Sequence, residues 1–576
     1  MSLQKPFLSV LPACASIRTP TMRWRATLLA ALVLSFVAAW AGPGARAAAA
    51  GRLAATPPMG WNDWAHYQCD YTAATILANA RALVRTGLAA RGYDTVTIDD
   101  CWMLKTRDSQ GNLQPDPRLF PQGMKPVADA VHALGLKFGI YEDAGSETCG
   151  RFAGSGEPQG GGQDHFLADA RLFASWGVDY LKLDGCNVYV RKGQSANDAY
   201  RAAYRAENLA LAQVGRPIAF SESAPAYFQG QPAWYDVLSW VRGYGQLWRE
   251  GTDMANYHTK NPPRSRFASV LWNYSYNLPL GRFQTPGNWN DPDFIIGGDV
   301  GMTLAESRSQ LALWAMMSAP LILSSDVARL TPAAVRILGN REVLSVDQDR
   351  LGRMATLLRR SASSDVLIKP LQDGGYAVAV LNRGSAALPA RLSPADLGFE
   401  GSACRFDARN LWSGERQTAV AALRADIAAH DTAIWTIRPN AVCGMPARIG
   451  TITRILPSPT DDETHPSASR YTRCLAASGA VEQCAGTREE SWQVMRNGAL
   501  RSGGKCLAQK GGRAALAVCS SAADQAWRYD VLGRLINSAS HQCLTGETSG
   551  ALSVAACGNN PPSQIWALPN DISVRD

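Results

Sequence analysis

The sequence lacks the usual patterns of a metal site or a dinucleotide site. No Cys-x-x-Cys pair and no His-Glu-x-x-His occurs in the 576 residues, so neither a metal nor another cofactor is expected. No Gly-x-Gly-x-x-Gly follows the first predicted strand, which disfavours a doubly wound sheet with a dinucleotide site.

Most of the excess positive charge lies at the beginning of the chain. The formal net charge is +8, but residues 1–50 contain five basic and no acidic residues, so the remainder carries only +3. A nearly neutral chain gives no reason to expect nucleic acid or another polyanion as a partner.

Residues 1–50 have the pattern of an upstream segment followed by a signal peptide. Arg23 and Arg25 precede an apolar run, and Ala45-Arg46-Ala47 is typical of a cleavage site. The run is shorter than the roughly 20 residues of a membrane-spanning helix, which disfavours a membrane anchor. We therefore expect a secreted or periplasmic protein without a membrane partner after cleavage. Its twelve remaining cysteines are an even number, which favours disulfides.

Residues 51–343 alternate short β-rich runs with helical stretches that often end in glycine. Eight such units predict a (β/α)8 TIM barrel, whose active site lies at the carboxyl ends of the strands. The runs are MGWND (59–63), TVTIDD (95–100), KFGIYED (137–143), YLKLDG (180–185), IAFSES (218–223), GQLWRE (245–250), WNDPDF (289–294) and LILSSD (321–326).

The remainder of the chain predicts two further domains. Short alternating strands over residues 344–439 indicate an antiparallel β-sandwich. Residues 440–470 are rich in proline, serine and threonine, and predict a linker. Residues 471–570 contain three repeats, each with a Cys-Leu, a second cysteine and a closing tryptophan, which predict a β-trefoil.

The three trefoil repeats predict one disulfide in each lobe, and they resemble the ricin B-type lectin module. The expected pairs are Cys474–Cys484, Cys506–Cys519 and Cys543–Cys557. Lectin-competent lobes usually have an aspartate after the Cys-Leu, whereas this chain has Ala476, Ala508 and Thr545. Both a sugar-binding role and a purely structural role therefore remain open.

Lys182 and Asp184 are unusual because they lie on one face of a predicted interior strand. A structural ion pair is the simplest explanation, since buried charges need partners. Many other acids also follow predicted strand ends, however, and packing alone does not explain so many. They are Asp99, Asp100, Glu142, Asp143, Glu222, Asp253, Asp291 and Asp293. With Trp61, Trp102, Trp289 and Tyr141, this pattern favours a neutral, polyhydroxylated ligand.

Several long motifs resemble glycoside hydrolase family 27, the melibiase-type α-galactosidases, from about Pro58 to Pro439. They are MGWNDW, IDDCW, FPQGMKPVADAVHALGLKFGIYEDAGSETC, FASWGVDYLKLDGCN and GNWNDPDF. The resemblance implies a retaining exo-glycosidase that removes terminal α-galactosyl residues from oligosaccharides or glycans through a covalent intermediate.

The resemblance also assigns roles to individual residues. Asp184 corresponds to the nucleophile, and Asp253, four residues after Arg249, corresponds to the general acid/base. We expect partial burial near Asp184 to raise the pKa of Asp253. Asp99 and Asp100 would hold the hydroxymethyl group and the axial 4-hydroxyl. The implied substrate-binding residues are Trp61, Asp99, Asp100, Tyr141, Lys182, Ser223, Arg249 and Asp293.

Disulfides near the site are likewise implied by the family pattern. They are Cys69–Cys101 and Cys149–Cys186, which leave Cys404 and Cys443 as a pair by subtraction.

Two departures from the family pattern keep other activities open. Family members often have a bulky segment after the fifth strand, whereas an ungapped alignment places Ser223 and Ala226 there, as in α-N-acetylgalactosaminidases. Glu222 could instead replace the missing glutamate. Phe294 stands where methionine is usual, and we interpret this as a packing change. A β-L-arabinopyranosidase ranks third, because Asp99 and Asp100 are both aspartates. A non-catalytic carbohydrate-binding protein is the alternative from another functional class.

Overall fold

The computed structural model describes residues 53–257, 266–444, 448–455, 472–547, 549–559 and 561–569. The predicted signal peptide lies outside these residues. Among the helices of the described part, none has the length and apolar character needed to cross a bilayer.

Eight parallel strands form a closed barrel, which confirms the predicted (β/α)8 fold. Neighbouring strands pair in the order β7-β6-β5-β4-β3-β2-β1-β8, and a parallel bridge between Ile295 and Leu323 closes the ring. The strands are β1 (Met59–Asn62), β2 (Thr95–Ile98), β3 (Lys137–Asp143), β4 (Tyr180–Asp184), β5 (Ala219–Glu222), β6 (Leu247–Arg249), β7 (Trp289–Asp291) and β8 (Leu321–Leu323).

Helices connect and cover these strands. They are α1 (Trp64–Tyr67), α2 (Ala73–Arg85), α3 (Lys125–Ala133), α4 (Phe166–Trp176), α5 (Ala196–Gln213), α6 (Trp234–Val241), α7 (Arg266–Asn277), α8 (Leu304–Met317), α9 (Pro332–Leu338) and α10 (Arg341–Asp347). Thr72 and Thr303 cap α2 and α8 with capping boxes, and Gly177 ends α4 at φ 84°.

An antiparallel sandwich follows the barrel. Its sheets have the orders β14-β13-β16-β11-β10-β9 and β12-β15. The strands are β9 (Thr356–Arg360), β10 (Ser364–Pro370), β11 (Tyr376–Asn382), β12 (Leu388–Leu392), β13 (Phe406–Asn410), β14 (Arg416–Val420), β15 (Leu423–Ile427) and β16 (Thr432–Pro439). The predicted barrel boundary at residue 343 falls inside α10, so the sandwich strands begin later than expected.

Buried polar contacts join the sandwich to the barrel. Lys369 on β10 donates to Ala315 O at 2.7 Å and to Val346 O at 2.6 Å, near the ends of α8 and α10. Arg360 and Asp365 form a buried ion pair at 2.7 Å, and Tyr274 of α7 donates to the same carboxylate at 3.0 Å. These contacts hold the sandwich against helices that support the barrel.

Among the described residues, twelve short strands form the third domain. Those after the predicted linker are β19 (Thr472–Leu475), β20 (Val481–Gln483), β21 (Ser491–Val494), β22 (Leu500–Ser502), β23 (Lys505–Lys510), β24 (Arg513–Val518), β25 (Trp527–Tyr529), β26 (Leu535–Asn537), β27 (Cys543–Gly546) and β28 (Leu552–Ala555). Two more, β17 (Ile449–Thr451) and β18 (Thr453–Ile455), lie inside the predicted linker of residues 440–470.

The linker prediction is therefore wrong for residues 449–455. β17 pairs with β21 and β18 pairs with β19, and Ile452 between them is completely buried in the trefoil core. The β-branched residues of this stretch stabilise the fold when they are buried in strands. They would contribute no such stabilisation in an exposed linker. The prolines that follow hid this pattern in the sequence.

Six disulfides join the twelve cysteines of the described residues. They are Cys69–Cys101, Cys149–Cys186, Cys404–Cys443, Cys474–Cys484, Cys506–Cys519 and Cys543–Cys557. The first two pin loops beside the carboxyl ends of the barrel strands.

Candidate active site

Lys182 forms an ion pair at the barrel mouth, but its partner is on another strand. Its Nζ lies 2.6 Å from Asp99 Oδ2 and faces the rings of Tyr141 at 5.1 Å and Phe294 at 5.2 Å. Burial by itself lowers the pKa of Lys182, but the charges of Asp99 and Asp184 outweigh it and raise the pKa. Lys182 is therefore a fixed cation, and Phe294 contributes a cation–π face rather than packing alone.

Asp184 is held through one carboxylate oxygen. Its Oδ1 accepts the hydroxyl of Tyr227 at 2.5 Å and the amide of Gly185 at 2.9 Å. Its Oδ2 faces Cys149 Sγ of the adjoining disulfide at 3.8 Å. The side chain remains partly exposed, so Oδ2 is the oxygen that has no strong donor.

Tyr227 was not predicted from the sequence. It lies on a 3-10 helix, Ala224–Phe228, that follows β5. Ser223 precedes this helix and is buried, while Ala226 is partly exposed. Glu222 is fully buried, and its carboxylate accepts a hydrogen bond from the amide of Gly245 at 2.6 Å. This contact joins the end of β5 to the residues before β6. The alternative in which Glu222 replaces the missing glutamate stays a prediction.

Asp99 and Asp100 follow β2 and are both buried. Asp99 Oδ2 accepts Asn62 Nδ2 at 2.6 Å in addition to Lys182, and the Asp99 amide donates to Asp63 Oδ1 at 2.8 Å. Asp100 accepts the amides of Cys101 at 2.7 Å and Gly150 at 2.8 Å. Burial raises the pKa of Asp100 despite these donors.

Asn62 and Asp63 complete this group, although sequence reasoning did not select them. Asp63 is fully buried, and burial together with the Asp99 charge raises its pKa well above the usual value. Their position in the MGWND run, where Asn62 ends β1 and Asp63 follows it, was the available signal.

Arg249 joins two carboxylates at the ends of β6 and β7. Its guanidinium lies 2.8 Å from Asp253 Oδ1 and 3.1 Å from Asp293 Oδ1. Asp293 is buried, and its Oδ2 accepts the amide of Met254 at 2.5 Å. The Asp253 side chain is 54% exposed, which suits a group that must reach a substrate.

The predicted rise in the pKa of Asp253 is wrong. Removal of water by the surrounding protein raises this pKa, but the charges of Arg249 and then Lys182 outweigh that effect and lower it. Burial instead raises the pKa of the neighbouring Asp293 to about 7, although Arg249 opposes the shift.

The aromatic residues divide between the mouth and the core. Tyr141 lies beneath Lys182, and the fully buried Trp61 donates its indole N–H to Ser325 O at 2.9 Å, near the end of β8. Trp102 packs edge-on against Trp176, and Trp289 begins β7 and donates to Ala54 O. Trp102 and Trp289 are therefore core residues, which corrects the prediction that they line the cleft.

One cluster of the described residues resembles a ligand set for a metal. The donor atoms of Asp143, Cys149, Asp184 and Cys186 lie within 4.8 Å of one another. The two sulfurs are joined in a disulfide, so they are not available as thiolate ligands.

Three protein-family models match the three domains. They are alpha galactosidase A at residues 56–349, the alpha galactosidase C-terminal beta sandwich domain at 361–437 and the ricin-type beta-trefoil lectin domain at 470–566. Their order along the chain is the order of the domains described above.

Curated relatives and solved structures agree with these models. A probable α-galactosidase A of Aspergillus clavatus is 37% identical over 91% of this chain and 95% of its own length. The α-galactosidase A of Aspergillus niger is 36% identical over 91% and 93%. The crystal structure of α-galactosidase I from Mortierella vinacea matches with a TM-score of 0.59 and is 29% identical over 68% of this chain and 100% of that chain. The chain belongs to the α-galactosidase A family.

Proposed function

We propose that this protein is an exported, retaining exo-α-galactosidase that hydrolyses terminal α-D-galactosyl residues of galacto-oligosaccharides or glycans. One arrangement carries the proposal: Asp184 is held at a strand end by Tyr227, while Asp253 projects from the loop after β6. The related enzyme from Saccharomyces cerevisiae has been solved with raffinose, which supports oligosaccharides as the substrate class. Six disulfides and the predicted signal peptide support export.

The proposed reaction has two displacements. Asp184 Oδ2 attacks the anomeric carbon, because Oδ1 is occupied by Tyr227 and Gly185. The bond to the glycosidic oxygen breaks, and Asp253 gives that oxygen its proton. The ionised Asp253 then takes a proton from water as the water attacks the anomeric carbon, which releases Asp184 and galactose with retained configuration.

Buried charges at the mouth suit recognition of the galactose hydroxyls. Lys182 supplies donors, while Asp99 and Asp100 supply acceptors already oriented by backbone amides and Asn62. We assign the galactosyl ring to this group, with Trp61, Tyr141, Ser223, Arg249 and Asp293 completing the surroundings.

α-N-Acetylgalactosaminidase is the second candidate, because Ser223 and Ala226 have small side chains. Both lie on the segment that follows β5, residues 223–229, which we call the β5 segment.

Hydrolysis of nitrophenyl glycosides tests these assignments. Wild type should hydrolyse 4-nitrophenyl α-galactoside faster than the N-acetylgalactosaminide or the β-L-arabinopyranoside, and Asp184→Ala should lose this activity. Asp129→Ala, an exposed aspartate on α3, is the matched control and should retain it. If one of the other two glycosides is hydrolysed faster, its sugar replaces galactose as the assigned substrate. If none of the three is hydrolysed, the result favours a non-catalytic carbohydrate-binding protein.

A further inference from the structure

The β5 segment contacts the Asp184 carboxylate and the loop that carries Asp253. Tyr227 donates to Asp184, and Gln229, two residues later, reaches the loop that carries Asp253. Gln229 Oε1 accepts the amide of Thr252 at 2.9 Å and its hydroxyl at 2.6 Å. One short segment therefore connects Asp184 to the loop that carries Asp253.

The orientation of the Gln229 amide follows from its partner. A backbone N–H only donates, so the atom that faces Thr252 must be the carbonyl oxygen Oε1. Gly251 allows this approach, because a Cβ at that position would lie 2.3 Å from Gln229 Nε2. The loop therefore lies directly against the Gln229 side chain.

Thr252 is the fixed point of the Asp253 loop. Gln229 holds its amide and hydroxyl, and Asn273 Nδ2 donates to its carbonyl at 2.8 Å. Asp253 itself is 54% exposed and has its side-chain contact with Arg249. The position of its carboxyl group therefore depends on how the preceding residue is held.

We propose that Gln229 is a positioning residue that holds the Asp253 loop at the correct distance from Asp184. The inference rests on the proposed function, since it assigns Gln229 to the general acid/base step. Gln229 acts through Thr252 and does not contact the reacting atoms.

Leaving-group dependence separates this role from general damage. Proton donation matters for a poor leaving group such as methanol and matters little for 2,4-dinitrophenolate, and kcat/KM reports the first displacement. Gln229→Met removes the acceptor at similar volume. We expect it to lower kcat/KM for methyl α-galactoside by about 10- to 100-fold and to change that for the dinitrophenyl galactoside by less than about threefold.

Three other variants make the result interpretable. Asp253→Ala should show the largest difference between the losses of kcat/KM on the two substrates. If it shows no such difference, the proposed role of Asp253 as acid/base is contradicted, and the result says nothing against the role of Gln229. Gln213→Met, on an exposed glutamine of α5, is the matched control and should behave as wild type. If Gln229→Met does not fold, Thr252→Val removes one of the two donors and should show the same dependence more weakly. Equal losses on both substrates, or no loss on either, would overturn the proposal.

Discussion

Tyr227 places its hydroxyl 2.5 Å from Asp184 Oδ1, in a segment that sequence patterns did not select. The same hydroxyl lies 3.0 Å from Cys186 Sγ, so the tyrosine, the disulfide and the carboxylate form one packed group. In the proposed mechanism, this contact leaves Oδ2 as the attacking oxygen.

Removing that hydroxyl should slow the reaction. A hydrogen bond to a charged group contributes about 1.5 to 3 kcal/mol, so Tyr227→Phe should lower kcat/KM by about 10- to 100-fold. The loss should be similar for methyl and dinitrophenyl galactosides, because the nucleophile serves both. Initial rates measure it, and Tyr235→Phe on α6 is the matched control. Wild-type rates in Tyr227→Phe would contradict a role for this contact.

Arg249 should set the pH dependence of the acid/base. Because its charge lowers the pKa of Asp253, protonated Asp253 becomes scarce as pH rises, and kcat/KM should fall from acidic toward neutral pH. Arg249→Met removes the cation, so the pKa of Asp253 should rise and this limb should move to higher pH, with a lower maximum rate. A pH profile of kcat/KM measures the shift. An unmoved limb would show that another group controls it.

The sandwich should depend on Asp365 for stability. Burial raises the pKa of Asp365, but the charges of Arg360 and Arg383 outweigh it and hold the pKa below the usual value. Asp365→Asn removes the negative charge that faces these two buried arginines and should cost about 3 to 5 kcal/mol. Urea unfolding at pH 7 measures this loss.

The pH dependence of that loss has a definite sign. A depressed carboxyl pKa stabilises the fold above the unfolded value of 3.8 and stops doing so as pH falls through the folded value. The stability gap between wild type and Asp365→Asn should therefore close below about pH 4. A gap that stays constant down to pH 3 would contradict the ion-pair account.

The barrel was predictable because its signals are local. Lys182 and Asp184 alone fit a structural ion pair, and they indicated a site only because many other acids also follow strand ends. The strands at residues 449–455 were missed because their partners lie in the first trefoil repeat, beyond a proline-rich stretch that dominated the local composition.

Sequence patterns selected most of the side chains that the fold gathers at the barrel mouth, but they did not predict the electrostatics there. Arg249 and Asp253 were both selected, yet only the fold shows that they lie 2.8 Å apart, and that distance reverses the expected pKa shift. Tyr227 and Gln229 gave no signal, because a tyrosine and a glutamine in a loop are ordinary. Their contacts depend on where the β5 segment meets β4 and β6.

Trapping of the covalent intermediate tests the central claim most directly. Wild-type protein treated with 5-fluoro-α-galactosyl fluoride should accumulate a galactosyl-enzyme, because the fluorine slows its hydrolysis. Peptide mapping by mass spectrometry should place the label on Asp184. A label on any other carboxylate, or rapid turnover with inverted product and no label, would contradict the account.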